Sequence, residues 1–385
     1  MLITYLKDRI RINRNEFSGA FGDIGTDLPL IIGMLFATNL EMSNTLIVFG
    51  VLQIITAVIY GIPMPVQPLK AVALIVITQK ISSAVIWGGG IAIGVIMLIL
   101  TATGLLKWLN KIIPKTVIRG IQLGLGIQLS LLAVKDYIPS DQGIGYIFAS
   151  IAFITGIILI GNRKYPPAIF ILLLGFIYVV FFKNIPFSDV SISLPHAFFP
   201  QISYQNIISG LVILAIPQIP LSLGNSIFAT NQIVKDLFPE KKTNVTKIAL
   251  TYSFMNIIGP LFGGIPVCHG SGGIAGHYTF GGRTGGSTLI YGLFYLALGL
   301  LFSNNSPELL QIFPKPMLGV ILLFEGIALI LLVKDIITDR KMFFIAILVA
   351  ICANGLPNGY FFGLIIGTII YYSADKLVFK NFGKQ

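Results

Sequence analysis

The chain has 385 residues, 55% of them apolar and only 11% charged, and its mean hydropathy is +0.88. A typical soluble domain carries roughly 25% charged residues, and a disordered chain needs low hydrophobicity; this composition excludes both and points to a polytopic membrane protein. The formal net charge of +11 raises nucleic-acid binding, which the placement of the charges argues against.

The N-terminus alternates apolar and basic side chains for 15 positions, lacks a cleavable signal pattern and reads as a short cytoplasmic lead-in. A helix crossing about 30 Å of hydrocarbon needs roughly 20 mostly apolar residues. On that measure spans are predicted at 17–37, 44–61, 88–106, 115–134, 145–160 and 166–182. The second half gives 205–227, 246–263, 286–302, 316–333, 342–353 and 359–374. The stretch 342–353 is short, and 66–79 and 268–278 are too short to cross and begin at Pro- or Gly-rich sequence. Let the N-terminus lie inside and each short stretch change sides. Then Lys80, Lys135, Lys183 and Lys315 alone fall outside, Lys70 stays at membrane depth, and every other Lys and Arg falls inside. That is the positive-inside bias of a membrane protein with both termini cytoplasmic, in the cell membrane, and it leaves no nucleic-acid footprint.

The halves resemble each other. Ile113-Pro-Lys…Val-Lys135-Asp136 matches Phe313-Pro-Lys…Val-Lys334-Asp335, Gly61-Ile-Pro63 recurs as Gly264-Ile-Pro266, and Gly22-Asp23 is echoed by Gly224-Asn225. Each repeat holds seven elements, and an odd number inverts the second copy in the membrane. Inverted repeats with paired, broken short segments are a plan of secondary transporters, and the broken segments mark the binding site.

The first broken segment carries Pro63, Pro65 and Pro68 within Gly61-Ile-Pro-Met-Pro-Val-Gln-Pro-Leu-Lys70. These prolines forbid a regular helix before about Pro68, which then suits a first helical position, and the helix is predicted to run to Gln79. The second segment, Gly263-Gly-Ile-Pro-Val-Cys-His-Gly-Ser-Gly-Gly-Ile-Ala-Gly276, has glycines that let main-chain amides approach a ligand closely. Such backbone must be buried in protein or line a wet cavity. Two facing helix N-termini make an anion site. Gln67, Ser271 and His269 supply donors, and Lys70 adds a charge. Lys70 also reads as half of a structural ion pair, and His269 as a core histidine.

Asp23 and Asp27 lie four residues apart on one helical face. Intramembrane carboxylates typically belong to ion pathways, so one is expected to pair with Lys70 and the other to carry a coupling proton, unless both sit in an interfacial first turn. Glu325 is a further coupling candidate or a structural partner. Gln218, Ser222 and Asn225 form a polar stripe suited to a polar substrate or to helix adhesion. Cys268 and Cys352 imply no disulfide framework and no metal site. His196, His269 and His277 offer no HExxH set, so no enzyme and no cofactor are expected.

Three stretches carry a family resemblance: Phe21-Gly-Asp-Ile-Gly-Thr-Asp-Leu-Pro-Leu30, Pro63-Met-Pro-Val-Gln-Pro-Leu-Lys-Ala71 and Phe262-Gly-Gly-Ile-Pro-Val-Cys-His-Gly-Ser-Gly-Gly-Ile-Ala-Gly276. They resemble the signatures of the molybdate transporter family related to sulfate permeases, and His277-Tyr-Thr-Phe-Gly-Gly-Arg-Thr-Gly285 extends the match. Leu69 stands where that family often has Met, and His277 where it often has Gln. The resemblance implies an all-α polytopic fold of seven plus seven inverted elements. Residues 1–111 and 201–305 would form a core, 112–200 and 306–385 a gate, with the third and tenth elements half-helices and no STAS domain. It implies import of molybdate, with tungstate and sulfate as related dianions, and a sulfate or other oxyanion transporter as the alternative. Substrate contacts are expected from Gln67, Pro68, Lys70 and Asn225, and from His269, Gly270, Ser271, Gly272 and Gly273. The expected partners are a coupling proton or sodium through Asp23, Asp27 or Glu325, the lipid bilayer and, as an option, a second copy in a homodimer.

Overall fold

The computed structural model describes residues 9–159, 167–183, 198–241, 243–301 and 313–373. Lys7, Arg163, Lys164, Lys242, Lys376, Lys380, Lys384 and His196 lie outside the described residues. The first repeat contains α1 (Arg14–Ala20), α2 (Ile24–Ala37), α3 (Met42–Tyr60), β1 (Val66–Pro68), α4 (Lys70–Gln79), α5 (Ser83–Ala102), α6 (Leu106–Ile112), α7 (Lys115–Leu132), α8 (Gln142–Leu159) and α9 (Pro167–Phe182). The second contains α10 (Tyr204–Leu237), α11 (Val245–Leu261), β2 (Val267–His269), α12 (Ser271–Thr279), α13 (Gly285–Leu301), α14 (Lys315–Leu331), α15 (Arg340–Gly355) and α16 (Gly359–Ser373). With α1 and α2 as one bent element, α6 as a short connecting helix, and each strand joined to its half-helix, these are seven elements and seven.

Several boundaries differ from the sequence expectation for visible reasons. The first span breaks at Phe21–Asp23, where α1 and α2 meet at 42°. Gly22 allows this break to press on α12, since a Cβ there would lie 2.5 Å from the Gly276 carbonyl. The fourth element starts at Ser83 rather than 88, because Gly88, Gly89 and Gly90 lie inside α5 instead of ending a loop. They let neighbours approach: a Cβ on Gly88 would sit 2.4 Å from the Asn206 carbonyl oxygen, and one on Gly90 2.6 Å from the Pro260 ring. The helix predicted at 205–227 continues to Leu237, its last turns anchored by buried Thr230 and Val234. Pro217 and Pro220 are accommodated in α10 beside wide π turns at Leu211–Ala215 and Ser222–Ala229. Met42–Tyr60, Ser83–Ala102, Tyr204–Leu237 and Lys315–Asp335 are each long and apolar enough to cross a membrane. So is the stretch Lys115–Leu159, which turns sharply at Gln142–Gly143 into α7 and α8.

Packing gathers the elements into two groups, the expected core and gate. In the first α3 packs on α13, α5 on α10 and α11, and α2 on α4. In the second α7 packs on α14 and α15, α8 on α9 and α14, and α16 on α15, while α2 on α14 and α4 on α7 join the two groups. Buried Glu16 ties α1 to α13: its carboxylate accepts from the Thr284 amide (2.9 Å), the Thr284 hydroxyl (2.9 Å) and the Ser287 amide (3.0 Å). A carboxylate at a helix N-terminus satisfies otherwise orphaned donors and suits the dipole.

Candidate functional site

The two proline- and glycine-broken segments meet. β1 and β2 pair antiparallel, Val66 opposite His269, Gln67 opposite Cys268 and Pro68 opposite Val267. The ladder continues through the Leu69 amide, which donates to the Pro266 carbonyl at 3.0 Å. Each outer strand edge is satisfied by a side-chain amide from the preceding helix. Gln53 donates to the Val66 carbonyl (2.6 Å) and accepts from its amide (2.8 Å). Asn256 does the same for Val267, at 2.6 and 2.9 Å. By these anchors Val66 corresponds to Val267 and Lys70 to Ser271. The Met64-Pro65 pair is then an insertion in the first copy, which explains why the Gly-Ile-Pro motifs lie further apart in sequence than the strands they introduce.

From this joint α4 and α12 begin, and no residue at their N-cap positions caps them by side chain. The first amides of a helix have no intrahelical acceptor. In α4 one of them, Val72, donates to Gln218 Oε1 at 3.3 Å. Gln218 in turn donates to the Ser222 hydroxyl (3.0 Å), which shares a 2.7 Å bond with Tyr252. Thus part of the polar stripe on α10 serves the half-helix itself, while exposed Asn225, one turn on, stays open to the cavity.

That cavity, about 440 Å³, lies on the boundary between the two bodies. The core contributes Asp23 and Thr26, Gln67 and Lys70, Asn225, and the Gly270-Ser271-Gly272 turn; the gate contributes Gln122, Leu125, Leu329 and Leu332. At Gly272 an added Cβ would meet nothing within 4 Å, so the backbone is bare to the cavity. At Gly270 it would fall 1.3 Å from Gln67 Oε1, so the glutamine occupies the space a side chain would need.

The charges partner one another. Gln67 donates to Asp23 Oδ2. Lys70 Nζ reaches Glu325 Oε2 at 3.2 Å, and the Thr26 hydroxyl donates to Glu325 Oε1 at 2.9 Å. The lysine's expected partner among Asp23 and Asp27 is therefore replaced by Glu325, across the domain boundary on α14. Glu325 lies on a second cavity of about 350 Å³ between α2, α9 and α14.

Other expected site residues are placed elsewhere. His269 is fully buried and turned from the cavity: its Nε2 bonds the Thr251 hydroxyl at 2.8 Å, and its ring meets Tyr60 edge-on at 5.3 Å. The strand alternation that puts Cys268 on the cavity side sends His269 to the opposite face. Pro68 is buried in β1 and does not line the cavity. Gly273 is buried behind it, against Asp23 and Pro65. Asp27 is buried in the core, accepting from the Tyr291 hydroxyl at 3.1 Å, and does not line the cavity. Among the described residues no three His, Cys, Asp or Glu side chains are placed to hold a metal ion. Gln53, Asn256, Thr26 and Gln122 are not singled out by the sequence motifs. Gln53 and Asn256 do fall at the repeat spacing, which is the one signal that marks them.

Comparison with known proteins bears on the family and the fold. A family model described as a molybdate transporter of the MFS superfamily matches residues 15–129 and 210–329. Molybdate transporter 2 of Arabidopsis thaliana is 32% identical, with 95% of this chain and 89% of the relative covered. Molybdate transporter 1 of the same plant is 31% identical over 96% of this chain and 89% of its own. Among solved structures, the transmembrane domain of a cyanobacterium bicarbonate transporter, BicA, superposes with a TM-score of 0.63 at 16% identity, covering 94% of this chain and 98% of that one. Murine Slc26a9, an anion transporter in the inward-facing state, superposes with a TM-score of 0.69 at 13% identity, covering 97% and 70%. The superfamily in the family description is built from six-helix halves, whereas this chain has the seven-plus-seven core and gate of the two solved structures.

Proposed function

Because the chain belongs to the molybdate transporter family, we propose that it is a secondary active transporter importing molybdate across the cell membrane, the oxyanion bound between the N-termini of α4 and α12. The observation that carries this reading is the shared cavity at two uncapped half-helices, with Gly272 bare and Asn225 and Ser271 beside it. Helix N-termini favour anions through their free amides and dipole. A tetrahedral oxyanion, acceptor on every oxygen, matches a wall of main-chain and side-chain donors.

The full charges around the cavity supply the coupling. Lys70 is flanked by Asp23 and Glu325, so a dianion would enter beside two carboxylates and a single cation. Like charges this close are unfavourable in a poorly solvated site. Uptake of a proton together with the substrate would offset this repulsion, with sodium as the alternative coupling ion. Substrate would then take Lys70 from Glu325 and release the core (1–111 and 201–305) to move past the gate (112–200 and 306–385).

A second reading is a carrier of sulfate or another anion on the same fold, favoured by the likeness to bicarbonate and other anion transporters. Calorimetric titration of the purified protein with molybdate, tungstate and sulfate tests both. Molybdate binding that excess sulfate does not displace is expected; binding of sulfate alone selects the second reading. Uptake into vesicles with and without an ionophore tests the coupling, and indifference to both proton and sodium gradients eliminates it.

A further inference from the structure

Among the described residues the gate reaches the cavity wall through one polar side chain, Gln122 of α7. It is fully buried; its Oε1 accepts from Arg119 Nη1 at 2.8 Å, and its Nε2 has no hydrogen-bond partner among the described residues. A guanidinium only donates, so the amide oxygen must face Arg119 and the NH2 group must face away from it. Arg119 is itself held in place: Nε and Nη2 grip the Asp335 carboxylate at 3.0 and 2.7 Å, a fork geometry that fixes the guanidinium plane. Asp335, Arg119 and Gln122 thus form a chain that ends in an unpaired amide donor. An unpaired buried donor is costly, and the side chain that carries this one is part of the lining of the cavity that the proposed substrate would enter.

We propose that Gln122 is the gate-side contact of the transported oxyanion, donating from Nε2 while the anion sits at the half-helix amides, and that Arg119 positions it. The inference rests on the oxyanion-transport reading above and adds a residue from the other body of the molecule. A neutral donor suits this place. It recognises oxygen on the anion without offering a charge that would hold the anion on the gate as the core moves.

Titration of purified full-length protein with molybdate tests it. Gln122→Glu keeps the size and can still accept from Arg119, but it removes the donor and adds a charge; the molybdate Kd should rise roughly tenfold or more, as for loss of a hydrogen bond to a charged group. Gln122→Met, of similar volume and without charge, should also weaken binding and serves if the glutamate variant does not fold. Arg119→Met should weaken binding more in the wild-type background than in Gln122→Met, where only the long-range charge of Arg119 remains to be lost. A Kd within twofold of wild type for the Gln122 variants overturns the contact, and additive losses overturn the positioning role. Wild-type protein that binds none of molybdate, tungstate or sulfate sinks the underlying transport reading instead.

Discussion

Gln53 and Asn256 stand in corresponding places in the two repeats and make the same contacts, each clamping one valine of the two-stranded joint, Val66 or Val267, by both its amide and its carbonyl. A two-stranded ladder inside a membrane protein leaves two outer edges with no water to satisfy them. These side-chain amides close those edges. The proposed binding site is therefore supported by symmetry, although its lining is not symmetric: Lys70 in one half corresponds to Ser271 in the other.

Shortening either clamp should loosen the joint. Gln53→Leu or Asn256→Leu leaves a buried amide and carbonyl unpaired, a cost of about 1–3 kcal/mol for each orphaned group. A lower thermal-unfolding midpoint in detergent is expected for both variants, and the double variant should show a further loss. Midpoints equal to wild type would mean that the clamps are redundant.

The Lys70–Glu325 pair makes a prediction about pH. If the dianion binds together with protons on the carboxylates around Lys70, substrate binding takes up protons and must tighten as pH falls. By linkage the Kd changes up to about tenfold per pH unit for each proton taken up. Molybdate titrations between about pH 8 and about pH 6 should show this slope in wild type. A Kd independent of pH in wild type would remove protons as the coupling ion.

Much of this architecture was legible because membrane insertion constrains it so tightly. Prolines at 63, 65 and 68 and the glycines from 263 to 276 announced the two breaks, but the half-helix expected from about Pro68 to Gln79 starts at Lys70, because Pro68 ends the strand β1 instead of opening the helix. The pairing of the breaks as strands was not legible, since three residues carry no period. Nor was the facing of His269. Its position beside Gly270 suggested a ligand, but in a strand one residue's shift reverses the face, and only the register with β1 fixes which face is wet. The partner of Lys70 was hidden for another reason: Glu325 lies 255 positions away, and no local pattern joins them.

Gly272 separates binding from stability. Its missing side chain borders open cavity, and a methyl group there touches no protein atom within 4 Å. Gly272→Ala should therefore leave the unfolding midpoint unchanged or slightly raised, as alanine favours the helix by up to about 1 kcal/mol. The methyl would nonetheless intrude where the oxyanion meets the backbone, and molybdate affinity should fall at least roughly tenfold, as when a site's hydrogen bonds can no longer all form. Unaltered affinity would place the anion away from the α12 amides.

His269 supplies the opposite case. Locked between Tyr60 and the Thr251 hydroxyl on the dry side of β2, it is expected to hold the second strand rather than the substrate. His269→Ala opens a void beside Tyr60 and unpairs Thr251, and its cost should be roughly 1–3 kcal/mol of stability. His269→Gln, which restores a polar group of similar reach toward Thr251, should recover much of that loss. Neither change touches the cavity wall, so molybdate binding measured on the folded fraction at low temperature should stay within about threefold of wild type, a shift below about 1 kcal/mol. Loss of binding by His269→Gln in fully folded protein would return this histidine to the substrate.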